Sequence, residues 1–194
     1  MAKNMLIILC GHPHERGTRL ASAIGDDRAR AVYEYLQNLT IEIADNFPAE
    51  KAVFYPEVIE PDDAWDNHRY TKKLQVGDNY GERMQNAFSW AFESGFVNVC
   101  IIGTDAYGLT GEIIERAFEF LDDGEAIIGP AKDGGYYLLG MNSIHPELFE
   151  GKTWGSHTVL DDTLQDFERL ELQYGKLPVL VKVNEKRDLP ARLR

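Results

Sequence analysis

Two short runs constrain this chain more than anything else in it: Met-Leu-Ile-Ile-Leu-Cys over residues 5–10 and Val-Asn-Val-Cys-Ile-Ile over 97–102. A strand with one wet face alternates apolar and polar residues. These do not, so both of their faces must be covered, as in parallel sheets packed between helices. The covering helices are legible from their period. Ala29, Val32, Leu36, Leu39 and Ile43 mark one face of a helix over 26–44, and Met84, Ala87, Phe88, Ala91 and Phe92 mark another over 81–92. Thr110 is a good N-cap for a third helix, whose stripe is Ile113, Ile114, Ala117, Phe118 and Leu121. Val159, Leu160, Thr163, Leu164, Phe167 and Leu170 give a last one.

Further strands are expected at 52–55, at an edge near Leu74, and at 179–183. Those at 126–129 and 136–141 are joined by a short turn, which allows a hairpin and so makes the sheet mixed. The polar stretch 57–69 reads as a loop whose Trp65 either packs or contacts ligand. The strand at 5–10 is expected to be central.

The 194 residues, 44% of them hydrophobic, suffice for one core and one domain over 1–194. A net charge of -12 argues against nucleic acid and anionic lipid as partners, since both attract basic surface. Cys10 and Cys100 each sit inside an apolar run rather than in paired spacing, which points to buried reduced thiols. With no apolar stretch approaching the roughly 20 residues of a membrane span, a soluble cytoplasmic protein is expected.

Chemistry concentrates where strands end. Asp105 follows the strand over 97–102, at the carboxyl edge where open α/β sheets bind ligands. A carboxylate there needs a partner, and a divalent cation shared with phosphate oxygens suits it; capping the next helix is the plainer alternative. The loop over 11–19 begins at Gly11 and carries Arg16 and Arg19 around Gly17 and Thr18, donors suited to phosphate. It is not a P-loop, because five residues separate Gly11 from Gly17 and no Lys follows; nor does Gly-x-Gly-x-x-Gly occur there.

Asp133, Gly134 and Gly135 form a second candidate, since paired glycines let backbone approach a substrate beside an accepting carboxylate; a plain hairpin turn is the alternative. Tyr136 and Tyr137 offer acceptor contact or core packing. Asn184 could lend an amide oxygen to a cation or cap the terminal segment. Cys10, His12 and His14 supply only three of the four ligands of a structural zinc site. His157 has no Gly-x-Ser-x-Gly serine to serve.

Four blocks together resemble the transferase family related to the 2-phospho-lactate guanylyltransferase, within the nucleotide-diphospho-sugar transferase superfamily. They are Pro13 with Thr18-Arg19-Leu20; Gly81-Glu-Arg-Met84 with Ala87-Phe88; Gly103-Thr-Asp-Ala-Tyr-Gly-Leu-Thr110; and Gly129-Pro-Ala-Lys-Asp-Gly-Gly-Tyr-Tyr-Leu-Leu-Gly140. The resemblance implies a GT-A type fold, a three-layer α/β/α sandwich around a mixed, mostly parallel sheet. It implies Mg²⁺ or Mn²⁺ held by Asp105, with Asn184 standing where related nucleotidyltransferases place a second metal ligand. The substrates implied are a nucleoside triphosphate or nucleotide sugar plus a small acceptor. Asp105 and Arg19 would be catalytic; Gly11, Arg16, Gly17, Thr18 and Arg19 would grip phosphate; Asp133, Gly134, Gly135 and Tyr136 would contact substrate.

The chain departs from the pattern at three places. The family's Lys before Thr-Arg-Leu is Gly17, its preceding Gly is His14, and the Pro two residues beyond the key Asp is Tyr107. Loss of a Lys removes a point charge from a phosphate site. The rival reading is therefore a nucleotide-binding module without catalysis.

Overall fold

In the computed structural model, which describes residues 3–11 and 18–193, a seven-stranded sheet lies between two layers of helices. The strands are β1 (Asn4–Leu9), β2 (Glu50–Tyr55), β3 (Thr71–Leu74), β4 (Asn98–Gly103), β6 (Ala126–Pro130), β7 (Tyr136–Met141) and β8 (Tyr174–Lys176). Their order is β3-β2-β1-β4-β7-β6-β8. A separate two-stranded ribbon pairs β5 (Ala106–Tyr107) with β9 (Val181–Lys182).

The apolar runs behave as covered strands should. β1 runs parallel to β2 on one side and β4 on the other, and its residues alternate between two cores. Leu6, Ile8 and Cys10 face one, with Cys100 and Ile102; Met5, Ile7 and Leu9 face the other, with Val99 and Ile101. α2 (Asp26–Asp45) and α4 (Gly111–Leu121) cover the first face through Ala44, Ile114, Ala117, Phe118 and Leu121. α3 (Tyr80–Glu93) and α5 (Val159–Arg169) cover the second through Met84, Ala87, Phe88, Ala91 and Phe167. Phe88 and Phe167 are fully buried, and each such side chain is worth about 1.5–3 kcal/mol of burial.

Most expected elements are present. β7 runs antiparallel to both β4 and β6, so the hairpin and the mixed sheet are as the turn spacing suggested. Thr110 caps α4 by accepting from the Ile113 N–H, which removes the cap role from Asp105. Trp65 is 1% exposed and packs edge-on against Tyr70, so it belongs to the core and not to a ligand. Cys10 and Cys100 are buried free thiols. No described helix is long and apolar enough to cross a membrane.

Three elements differ from the expectation. The strand over 179–183 is cut to two residues and leaves the main sheet for the ribbon, because its partner is β5 and not a sheet edge. β8, a Gly-centred strand with no apolar run of its own, fills the edge beside β6. α1 (Arg19–Ile24) starts at the last residue of the expected loop and has no counterpart among the expected elements; only Leu20 and Ala21 bury from it.

Candidate functional site

The pairing of β1 with β4 decides where the site lies. Leu9 stands opposite Gly103, so Gly11 and Asp105 each follow two residues beyond the last rung, side by side at the carboxyl rim. Gly103 makes room there, since a Cβ on it would sit 2.8 Å from Asp105 Oδ1. The Asp105 carbonyl accepts from the Val183 N–H at 2.9 Å, and the next two residues pair with β9, Ala106 opposite Lys182. Val183 is buried among Leu20, Ala29, Val32 and Leu36. Neighbours in an extended chain point to opposite sides, so anchoring Val183 turns Lys182 the other way, toward the rim.

Lys182 is the residue that sequence reading missed. Its Nζ lies 3.4 Å from Asp105 Oδ2 and 4.0 Å from Asp133 Oδ2, with the side chain only 21% exposed. Attraction to Asp105 is the largest influence on the ammonium and raises its pKa above the ordinary lysine value; burial opposes this and Tyr80 and Asp133 reinforce it. The ammonium is therefore charged at neutral pH. A signal existed: Lys182 is the lone cation inside Val-Leu-Val-Lys-Val, and a charge in such a run costs desolvation unless a partner waits for it.

Asp133 reaches the site from the turn between β6 and β7. That turn is fixed at three points. Gly135 N–H donates to Asp133 Oδ1 at 3.0 Å, Gly134 N–H to the Ala131 carbonyl at 3.2 Å, and Leu160 N–H to the Gly134 carbonyl at 2.9 Å. Gly134 has φ +85, and a Cβ on it would lie 2.1 Å from the His157 carbonyl oxygen, so glycine is required for conformation and for space alike. Asn184 Nδ2 donates to Asp133 Oδ2 at 2.9 Å. Asn184 thus reaches the site, with its amide engaged by Asp133.

The other expected site residues divide. Gly11 is exposed at the rim. Thr18 caps α1, accepting from Ala21 N–H and from the Tyr33 hydroxyl, both at 3.0 Å. Arg19 is 72% exposed and meets Glu185 at 3.6 Å, which puts its guanidinium beside the segment carrying Asn184. Arg16 and Gly17 lie outside the described residues, as do His12 and His14 of the zinc reading. The third zinc candidate, Cys10, is 7% exposed in the core, where burial and then the nearby Asp63 push its thiol up to about 12.

An aromatic wall borders the carboxylates. Tyr80, at the start of α3, packs edge-on against Trp154 at 5.9 Å. The residue is 44% exposed, yet its phenol is held above the ordinary tyrosine value by desolvation of the hydroxyl end, with Lys182 pulling down and Asp105 pushing up. Tyr136 lies behind it, half-buried, its hydroxyl 3.9 Å from Met84 Sδ. Tyr137 belongs to the core, donating to the Pro178 carbonyl at 2.9 Å. Tyr107 stacks under the Arg192 guanidinium at 5.3 Å.

The oxygen donors suit a hard divalent cation chemically. No group of three or more His, Cys, Asp or Glu is arranged to hold a metal among the described residues, however, and an ammonium sits between the two carboxylates.

Comparison with known proteins bears on the fold and the family. No curated protein matches the sequence. Among solved structures, a "putative nucleotide-diphospho-sugar transferase" from Desulfovibrio desulfuricans G20 is 29% identical, with a TM-score of 0.86 over 95% of this chain and 84% of that one. The inositol-1-phosphate CTP transferase from T. maritima matches at 12% identity and a TM-score of 0.55, over 99% and 93% of the two chains. Rv0371c from Mycobacterium tuberculosis H37Rv, solved in complex with manganese, matches at 10% identity and 0.58, over 96% of each. The fold is therefore that of the nucleotide-diphospho-sugar transferases, a mixed and mostly parallel sheet between helix layers. Residues 39–156 match the family described as "Uncharacterized protein conserved in bacteria (DUF2064)", and the chain belongs to that family.

Proposed function

We propose that this protein is a transferase acting on a nucleotide-activated substrate, with nucleotidyl transfer favoured over glycosyl transfer. One observation carries the reading: Asp105, Asp133 and Lys182 converge at the carboxyl rim, beside the residue that opens the loop after β1. Two sources support it besides. The four sequence blocks resemble transferases related to the 2-phospho-lactate guanylyltransferase, and the solved relatives include a CTP transferase.

In the reaction we envisage, an acceptor phosphate attacks the α-phosphate of a nucleoside triphosphate in line and diphosphate leaves. Little covalent chemistry falls to the protein in such a transfer; it positions the groups and neutralises charge. Arg19 and the loop from Gly11 would grip the phosphates. Lys182 would contribute an ammonium, held within reach of both carboxylates, to offset phosphate charge. Tyr80, Tyr136 and the Gly134-Gly135 backbone would seat the acceptor. Asp105 would hold Mg²⁺ or Mn²⁺, which when bound would supply neutralisation of phosphate charge. The single-domain arrangement over 1–194 and a cytoplasmic, reducing setting complete the proposal, the latter consistent with two free thiols.

The test is turnover. Purified protein is incubated with Mn²⁺ or Mg²⁺, a panel of nucleoside triphosphates and nucleotide sugars, and phosphorylated acceptors, and release of diphosphate or loss of sugar is measured against Asp105→Asn protein. Diphosphate release that depends on Asp105 supports nucleotidyl transfer. Nucleotide binding with no turnover across the panel would replace it by the binding-module reading.

A further inference from the structure

The seat expected for a metal already holds a cation. Lys182 Nζ approaches Asp105 Oδ2 at 3.4 Å and Asp133 Oδ2 at 4.0 Å. The surrounding donors complete an arrangement suited to one positive charge: Asn184 Nδ2 and the Gly135 N–H both point at Asp133, leaving few of its lone pairs for a metal. A divalent ion entering between these oxygens would stand within a few ångströms of the ammonium, where like charges repel. The backbone under Lys182 is fixed by its pairing with Ala106 and by buried Val183, but its four-carbon stem is flexible and its ammonium can turn elsewhere.

We infer that Lys182 is the built-in counter-cation of this site, and that a divalent ion binds Asp105 only by displacing the ammonium. The displaced ammonium needs a new anion, and a nucleotide's phosphates supply one. Metal entry is thereby coupled to nucleotide arrival, and metal alone binds weakly. The inference rests on Asp105 as the cation's seat and not on any transfer reaction.

Mn²⁺ titration of the nucleotide-free protein, followed by the electron paramagnetic resonance signal of free Mn²⁺, tests it. Lys182→Met protein should bind Mn²⁺ roughly tenfold or more tightly than wild type, a change within the ordinary range of coupling between competing occupants. Adding Asp105→Asn to that variant should abolish the gain. Equal or weaker Mn²⁺ binding by Lys182→Met overturns the proposal. Should that variant fail to fold, the ¹⁵N resonance of Lys182 Nζ in wild-type protein gives the same answer. Mg²⁺ together with a non-hydrolysable nucleoside triphosphate must shift it, and a signal unmoved once both are bound overturns the idea. Turnover enters neither measurement, so a tighter-binding Lys182→Met in a protein inactive across the whole substrate panel would sink the transfer reading alone.

Discussion

β4 and β9 meet at the same rim, yet different forces hold them. Five of the six β4 residues are buried between two layers of helices, and the strand has ladder partners on both sides. β9 is two half-buried residues with one partner, positioned by the packing of its neighbour Val183 and by the ion pairs of Lys182. The first is a product of apolar burial, which is local, strong and tolerant of detail. The second depends on groups far apart in sequence meeting at fixed distances. Asp105 rides on the first kind of support and Lys182 on the second, so the scaffold and the charge arrangement should fail separately.

Phe88→Ala is expected to have the largest effect. It empties a fully buried site where α3 meets the sheet face under β1 and β4, and should cost about 3–5 kcal/mol in chemical denaturation. If the protein retains its stability, apolar burial is not what holds the sheet. Asp105→Asn is expected to do the reverse. The fold should persist by circular dichroism while diphosphate release falls about 100-fold or more, the scale seen when one charge-stabilising group is removed from a site.

Gly134→Ala comes next and probes the turn that carries Asp133. A positive φ and a clash with the His157 carbonyl together should cost about 2 kcal/mol, read as a lower denaturation midpoint, and should weaken nucleotide binding through displaced Asp133. Full stability in that variant would mean the turn is far softer than its three backbone-held contacts suggest.

The smallest effect is alkaline and concerns the scaffold side alone. Burial raises the Cys10 thiol from 9.0 to about 12, so the folded protein keeps a proton that the unfolded chain gives up. The resulting stabilisation is complete below pH 9 and declines as pH rises from 9 toward 12. Wild type should accordingly lose ground against Cys10→Ala over that interval, and native Cys10 should resist iodoacetamide at neutral pH. Rapid labelling at pH 7 would contradict the burial.

Much of the fold was legible because its signals are local. The runs over 5–10 and 97–102 demanded covered strands, and the helical stripes matched α2, α3, α4 and α5 to within a residue or two. Thr110 declared its helix start. β8 escaped because Tyr-Gly-Lys carries no apolar pattern, and α1 because six residues with two buried give almost no period. At the site, Asp105 and the Asp133-Gly134-Gly135 turn could be picked out by residue type and position. Lys182 and Tyr80 could not be placed beside them, since nothing local records that β9 pairs with β5.

What the sequence settled by itself, then, is the layered α/β architecture and the location of an acidic rim, because burial of apolar surface depends mainly on pattern. Which cation faces that rim was settled only in three dimensions. An ion pair needs partners within a few ångströms, and the 76 residues between Asp105 and Lys182 are bridged by strand pairing and by the packing of Val183, neither of which is written in any short stretch of the chain.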